Sequence, residues 1–182
     1  RYRMVPPFGR AVIRRFVGNA SAMKKMAARN FEDLLQCAIP VFEGLLPEPH
    51  NHTVLALLFT FAEWHALGKL RLHTTPLVAR LAEATSHLGR QLRHFVSHVC
   101  SSYDTRELPG EEAARGRRKA RKKKTNSTPI PVPRGRAPAG GAANGKKMNL
   151  NMYKLHSLGD YVDYISTFGT TDSYSTQTVS SL

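Results

Sequence analysis

The chain has 182 residues, 41% of them hydrophobic, and its 27 lysines and arginines outnumber 13 aspartates and glutamates to give a formal net charge of +14. That length suits one domain of ordinary size with residues left over for a tail or linker, and the apolar share is adequate for a core. Two cysteines, Cys37 and Cys100, lie far apart without a metal-type CxxC spacing, which fits a reducing compartment better than a secreted disulfide scaffold.

Residues 1–20 read as an irregular lead-in, with Pro6, Pro7, Gly9 and Gly18 around a short run, AVIRRFV, that suits a strand or a helical turn equally. A helical bundle is expected over 21–107. From Ser21 the apolar residues Met23, Met26 and Ala27, then Phe31, Leu34, Leu35 and Ala38, recur in steps of three and four, the methionines as core filler. Asn30, followed by Glu32 and Asp33, resembles a cap at which one helix ends and another begins, and Pro40 is expected to kink or break the second.

The centre of the bundle is predicted to be VLALLFTFAEWHAL, Val54 to Leu67, interrupted only by Thr60, Glu63 and His65. A helix apolar on every side needs neighbours all round it, and this one is too short for a bilayer, which needs ~20 apolar residues. Asn51 or His52 is the expected cap, the end is expected near Leu72, and His65 reads as a core histidine. Thr74-Thr75-Pro76 then signals a new helix, whose stripe Leu77, Leu81, Ala84, Leu88, Leu92, Phe95 and Val99 faces the central one. Its other side carries Arg80, Glu83, His87, Arg90, His94 and His98, a solvated face on which His94 and His98, one turn apart, are weak candidates for a shared metal.

From Leu108 to Lys147 the composition changes. PGEEAARGRRKARKKK places acidic residues first and basic ones last, the order a helix dipole favours, so a solvated helix is expected there. Thr125 to Lys147, rich in Pro, Gly and Ala, is predicted to be a disordered linker. Its end, GGAANGKK, falls one residue short of a phosphate loop, because Lys147 stands where a Ser or Thr would hold magnesium, and no strand precedes it. In 148–182 a last helix is expected over Tyr153 to Phe168, packing back on the bundle, with Gly169 as its C-cap, Asp160 and Asp163 on its wet side, and a Ser/Thr-rich tail. The expected fold is all-α, a bundle of about four helices interrupted by a disordered basic linker.

Arg115, Arg117, Arg118, Lys119, Arg121, Lys122, Lys123 and Lys124 are the densest chemical signal, and no Asp or Glu occurs from Arg115 to Lys147. Such a cluster suits DNA phosphates, bound through counterion release without reading sequence, or a nuclear-import receptor; a solvated linker is the bland alternative. No aromatic residue lies among these charges, so base stacking is not expected. No signal peptide or membrane span is recognised. Asn19, Asn51 and Asn126 begin sequons of the chance kind.

Several stretches carry a family resemblance. Phe31-Glu32-Asp33-Leu34-Leu35-Gln36-Cys37-Ala38-Ile39-Pro40 is followed by Phe42-Glu43-Gly44-Leu45-Leu46-Pro47 and by Trp64-His65-Ala66-Leu67-Gly68-Lys69-Leu70-Arg71-Leu72-His73-Thr74. Later come Arg106-Glu107-Leu108-Pro109, a basic spacer, Asn149-Leu150-Asn151, Lys154-Leu155-His156-Ser157-Leu158-Gly159-Asp160-Tyr161, and Phe168 to Gln177. In this order they resemble the carboxyl-terminal region of fungal transposases of the Plavaka and Kyakuja-Dileera-Zisupton type, relatives of the CACTA group. The resemblance implies a metal-dependent DNA strand-transfer enzyme with an RNase H-like core, an acidic triad and a need for magnesium or manganese. It places the early triad residues before Arg1, and the family pattern after Gln177, Gly-Glu-Leu-Glu-His, is replaced by Thr178-Val179-Ser180-Ser181-Leu182. The expectation is a catalytically incomplete fragment with no catalytic residue, no cofactor and no small-molecule substrate, nuclear, binding DNA non-specifically and import receptors but no membrane. His156 and Asp172 are the positions implied as supports of the missing site. The alternative is a stand-alone helical interaction module with a basic nuclear-localisation tail.

Overall fold

The computed structural model describes residues 1–9, 12–13, 15–23, 26–125 and 144–171. Its helices are α1 (Ala28–Gln36), α2 (Ala38–Phe42), α3 (His50–Gly68), α4 (Thr75–His94), α5 (Pro109–Thr125), α6 (Tyr153–His156) and α7 (Tyr161–Phe168). Among the described residues the only β-pairing is two isolated bridges, Phe8 with Ile13 and Arg106 with Gly145, so the protein is all-α. No described helix is long and apolar enough to cross a membrane. The chain divides into two compact units, one formed by Arg1–Ser101 with the segment from Asn149, the other by Ser102–Met148.

The first unit is built around α3 and α4. The predicted stripe of α4 is the face that goes inside: Leu81, Ala84, Leu88 and Leu92 are buried, and Val99 joins them after a π-helical turn over Phe95–Val99. Against them stand Leu57 and Trp64 of α3 and Ile165 of α7, with Leu150, Leu155, Leu158, Tyr161 and Val162 around the edge. Trp64 is the hinge pin of this cluster. Its Nε1 donates to Thr85 Oγ1 at 2.8 Å, Thr85 in turn donates to Leu81 O, and the Tyr161 ring meets the indole edge-on at 4.9 Å.

Several boundaries move from where the sequence put them. No helix runs from Ser21: a short 3₁₀ turn over Ala20–Ala22 is followed by α1. Nor does Asn30 divide two helices, because it lies inside α1 and its Oδ1 reaches back to the Ala27 amide at 2.9 Å, closing the first turn. The break falls at Cys37, and Pro40 sits in the first turn of α2, where its missing N–H costs nothing. Asn51 and His52 do not cap α3. The cap is the Glu48 carboxylate, which accepts from Asn51 Nδ2 at 2.9 Å and from the His52 amide at 3.2 Å, and these two bonds hold its pKa below the usual carboxylate value.

α3 stops at Gly68 rather than near Leu72, since glycine is a poor helix former and two of the last carbonyls find side-chain donors. His73 Nε2 lies 2.9 Å from Leu67 O, and Thr171 Oγ1 donates to Gly68 O at 3.0 Å. The helix expected over Tyr153 to Phe168 is two, α6 and α7, because turns at Leu158 to Asp160 replace the helical ladder around Gly159. Gly169, at φ 88°, ends α7 as foreseen in a conformation that L side chains rarely adopt. The α3 helix is also not enclosed on every side: Val54, Leu57, Thr60 and Trp64 are buried, but Phe59 is 61% exposed.

The lead-in packs on α1 and α2. Tyr2 OH donates to Leu34 O at 3.1 Å, Arg1 Nη1 donates to Val41 O at 3.2 Å, and the buried Phe16 stacks at a tilt on Tyr2.

Candidate nucleic-acid interface

In the second unit, α5 carries Glu111 and Glu112 in its first turn and only cations among its charged residues after them, so the sequence itself aligns charge with the helix dipole. Glu111 Oε2 accepts from the Leu108 amide at 3.1 Å, a cap that fixes the entry of the chain. Arg117, Arg118, Lys119 and Arg121 are exposed along this helix, and the backbone of Lys122, Lys123 and Lys124 continues it to Thr125. All eight predicted site residues thus lie on one helix, and Arg118 and Lys119 line an open groove with Glu107, Glu111 and Arg115.

Arg115 is different. Its Nε donates to Glu107 Oε2 at 2.9 Å, the two side chains are 26% and 12% exposed, and its Nη2 is buried without a hydrogen-bond partner. The same Glu107 oxygen accepts from the Asn144 amide at 3.3 Å, and the Glu107 amide donates to Asn144 O at 3.0 Å. A second pair lies beside the first, Lys146 Nζ to Glu111 Oε1 at 2.5 Å. The Lys146 ammonium, and after it the Leu108 amide, hold the Glu111 carboxyl below its usual pKa, so it stays ionised. The Lys146 amide donates to Thr105 O at 2.7 Å, and Thr105 Oγ1 donates to Lys146 O. Asn144 to Lys146 are therefore paired residues, a correction to the disordered linker expected up to Lys147; residues 126–143 lie outside the described ones. Nothing local in the sequence signals this clamp, since Asn144 and Lys146 are far along the chain from Glu107 and Glu111.

The other candidates are dispersed. His94 and His98 are exposed, with rings stacked at 4.1 Å and 29°, and His98 Nδ1 lies 2.7 Å from Ser97 Oγ and 3.2 Å from His94 O. Stacked imidazoles hold their lone pairs in two separate planes, which do not aim at a common ion. Among the described residues no group of three or more His, Cys, Asp or Glu side chains is placed to hold a metal. Asp160 and Asp163 are exposed, His156 sits at the end of α6, and Asp172 lies outside the described residues. Glu63 pairs with Arg80 at 2.7 Å.

His65 is half-buried, its Nε2 3.9 Å from Glu32 Oε1, while Lys69 Nζ holds that same oxygen at 2.8 Å. Burial lowers the His65 pKa; Glu32 pulls it up and Lys69 pushes it down. The folded protein thus resists protonating His65 more than the unfolded chain does. The stability contributed by neutral His65 is complete above the unfolded value of about 6.5 and is lost as pH falls from there through the lower folded value. Urea midpoints measured from pH 7 to pH 5 should fall, and fall less in His65→Gln; equal slopes in both proteins would contradict this.

Comparison of the chain with protein-family models, curated proteins and solved structures finds no match.

Proposed function

We propose that this chain is the helical carboxyl-terminal portion of a fungal transposase of the Plavaka and Kyakuja-Dileera-Zisupton type, and that it contacts DNA by charge alone. In this reading a bundle of about four helices is interrupted by a basic segment, α7 packs back on the bundle, and the protein works in the nucleus. It holds no cofactor and cuts nothing: the family's acidic triad has no counterpart among the residues that carry the resemblance, so strand transfer belongs to the whole enzyme. Import receptors are the other partner of the same cations.

The observation that carries the DNA contact is the charge spacing on α5. Eight cations lie between Arg115 and Lys124. At 1.5 Å rise per residue they occupy about 14 Å, and duplex DNA carries one negative charge per ~1.7 Å, or about eight over the same length. With no aromatic residue between them, they offer nothing for a base to stack on, so the contact is independent of sequence.

A titration of duplex-DNA binding against salt tests this. The logarithm of the binding constant should fall linearly and steeply with the logarithm of salt concentration, equally for unrelated sequences. Absent or salt-insensitive binding ends the reading.

Exposed apolar rings favour a second reading, a helical protein-interaction module whose basic helix is a nuclear address. Phe59 is 61% exposed, and Tyr164 and Phe168, stacked at 5.7 Å, are 52% and 63% exposed. A chain that ignores DNA but binds an import receptor through α5 would support it.

A further inference from the structure

The lead-in of the first unit builds a cavity of its own. Residues 1–31 hold eight lysines and arginines and no Asp or Glu. Tyr2–Met4 forms a 3₁₀ turn, and paired backbone bonds between Phe8 and Ile13, at 3.1 and 3.0 Å, fold the chain back beyond Gly9, whose φ is 61°. Phe16 is then buried against the Tyr2 ring at 5.1 Å, and Tyr2 is tied to α1 through Leu34 O. Arg15 and Val17, on either side of Phe16 in the chain, stay exposed, as do Arg3 and Met4.

Arg1, Arg3, Met4, Arg15, Phe16 and Val17 line an open cavity of about 550 Å³. Small-molecule sites are commonly about 300–1,000 Å³. None of the lining residues is acidic. Arg1 directs its guanidinium at the carbonyls of Val41, Glu43 and Gly44, neutral acceptors that leave its charge without a counter-ion. Among the described residues, none hydrogen-bonds to or pairs with the side chain of Arg3 or Arg15. Asp33 borders a neighbouring cavity together with Arg15, but it is buried and forms no ion pair with that arginine. Three guanidinium groups thus share one cavity whose other walls are apolar.

We propose that this cavity is a binding site for a small organic phosphate, a monoester with an apolar body. A guanidinium presents a planar fork of donors that matches phosphate oxygens in pairs, and it gives up its hydration more easily than an ammonium. A phosphate monoester carries a charge of about −1.5 to −2 at neutral pH and three acceptor oxygens, enough to engage Arg3 and Arg15 together. A carboxylate, with one charge and two oxygens, satisfies one fork. Met4 and Val17, 84% and 85% exposed, and the edge of Phe16 supply the surface on which the ester's apolar body comes out of water. A duplex backbone, one charge per phosphate and no apolar body, makes no use of those walls. The cavity belongs to the first unit and α5 to the second, so this site stands apart from the DNA reading.

Calorimetric titration of the full chain with phenyl phosphate tests this, with benzoate and inorganic phosphate as comparisons. Phenyl phosphate should bind saturably at one site, and both comparisons more weakly, benzoate for want of charge and inorganic phosphate for want of a ring. Arg3→Gln and Arg15→Gln should each weaken phenyl phosphate at least about tenfold, the loss of a hydrogen bond between charged groups. Both side chains are exposed and hold no described neighbour, so the urea midpoint of each variant should match the parent. Arg90→Gln, an exposed cation of α4, and the replacement of all eight α5 cations by Gln should leave phenyl phosphate binding unchanged. No binding at millimolar phenyl phosphate, or unchanged affinity in Arg3→Gln and Arg15→Gln, overturns the site. Equal affinity for benzoate overturns the phosphate class, and equal affinity for inorganic phosphate overturns the apolar body. Loss of binding in the α5 variant moves the anion to that helix. Capture by phosphatidylserine vesicles without binding of phenyl phosphate assigns these arginines to a lipid surface instead.

Discussion

Trp64→Ala unfolds the first unit more easily than any single surface change, with an expected loss of about 3–5 kcal/mol. The side chain is 5% exposed and touches three elements of the core: it donates to Thr85 of α4, meets Tyr161 of α7 edge-on, and packs at a tilt on Phe61 of its own helix. Removing it leaves a cavity that these neighbours cannot fill without giving up their own partners. Against a total stability of about 5–15 kcal/mol, the loss decides whether the unit is folded at body-like temperatures. Trp64→Phe keeps the ring and drops the indole N–H, so it should cost only about 1 kcal/mol for the hydrogen bond, plus a small packing term. Urea unfolding of the two variants gives the comparison, and hydrogen exchange should show the amides of Tyr161 to Phe168 losing protection first in Trp64→Ala. A loss below about 1 kcal/mol would mean that Trp64 does not organise the core.

Replacing Arg115, Arg117, Arg118, Lys119, Arg121, Lys122, Lys123 and Lys124 together by Gln should abolish the salt dependence of DNA binding and lower affinity by at least about 10²-fold near 50 mM salt. The core residues lie in the other unit, so the urea midpoint of the first unit should stay where it is. Retention of a steep salt slope would assign the contact to other cations of the chain, of which Arg14-Arg15, Lys24-Lys25 and Lys146-Lys147 are adjacent pairs in sequence.

The sequence was legible where structure is set by neighbours in the chain. The Thr74-Thr75-Pro76 start of α4, its buried stripe and the Gly169 stop of α7 each follow from propensity and period over a few residues. It was misleading where a distant or reversed partner decides. Glu48 reaches forward to cap α3, Asn30 reaches back to cap α1, and Gly159 breaks what its flanking apolar steps present as one helix. Apolarity on every side of Val54 to Leu67 implied complete enclosure, yet neighbours cover one part of α3 and leave Phe59 outside. The basic cluster was plain from composition. The pairing of Glu107 with Arg115 and of Glu111 with Lys146 was not, because Lys146 returns to Glu111 from 35 residues away and no local pattern encodes that meeting.

The bridge between Arg106 and Gly145 gives the basic stretch a single doorway, through which the chain both leaves and returns. Whatever lies between those two residues can be trimmed, doubled or exchanged for another cassette without stretching the backbone on either flank, since doubling a loop adds only about 0.6 kcal/mol of closure entropy. On the proposed reading, a polypeptide arranged in this way would change its appetite for polyanions by altering the insert alone, and leave its folding unit as it was.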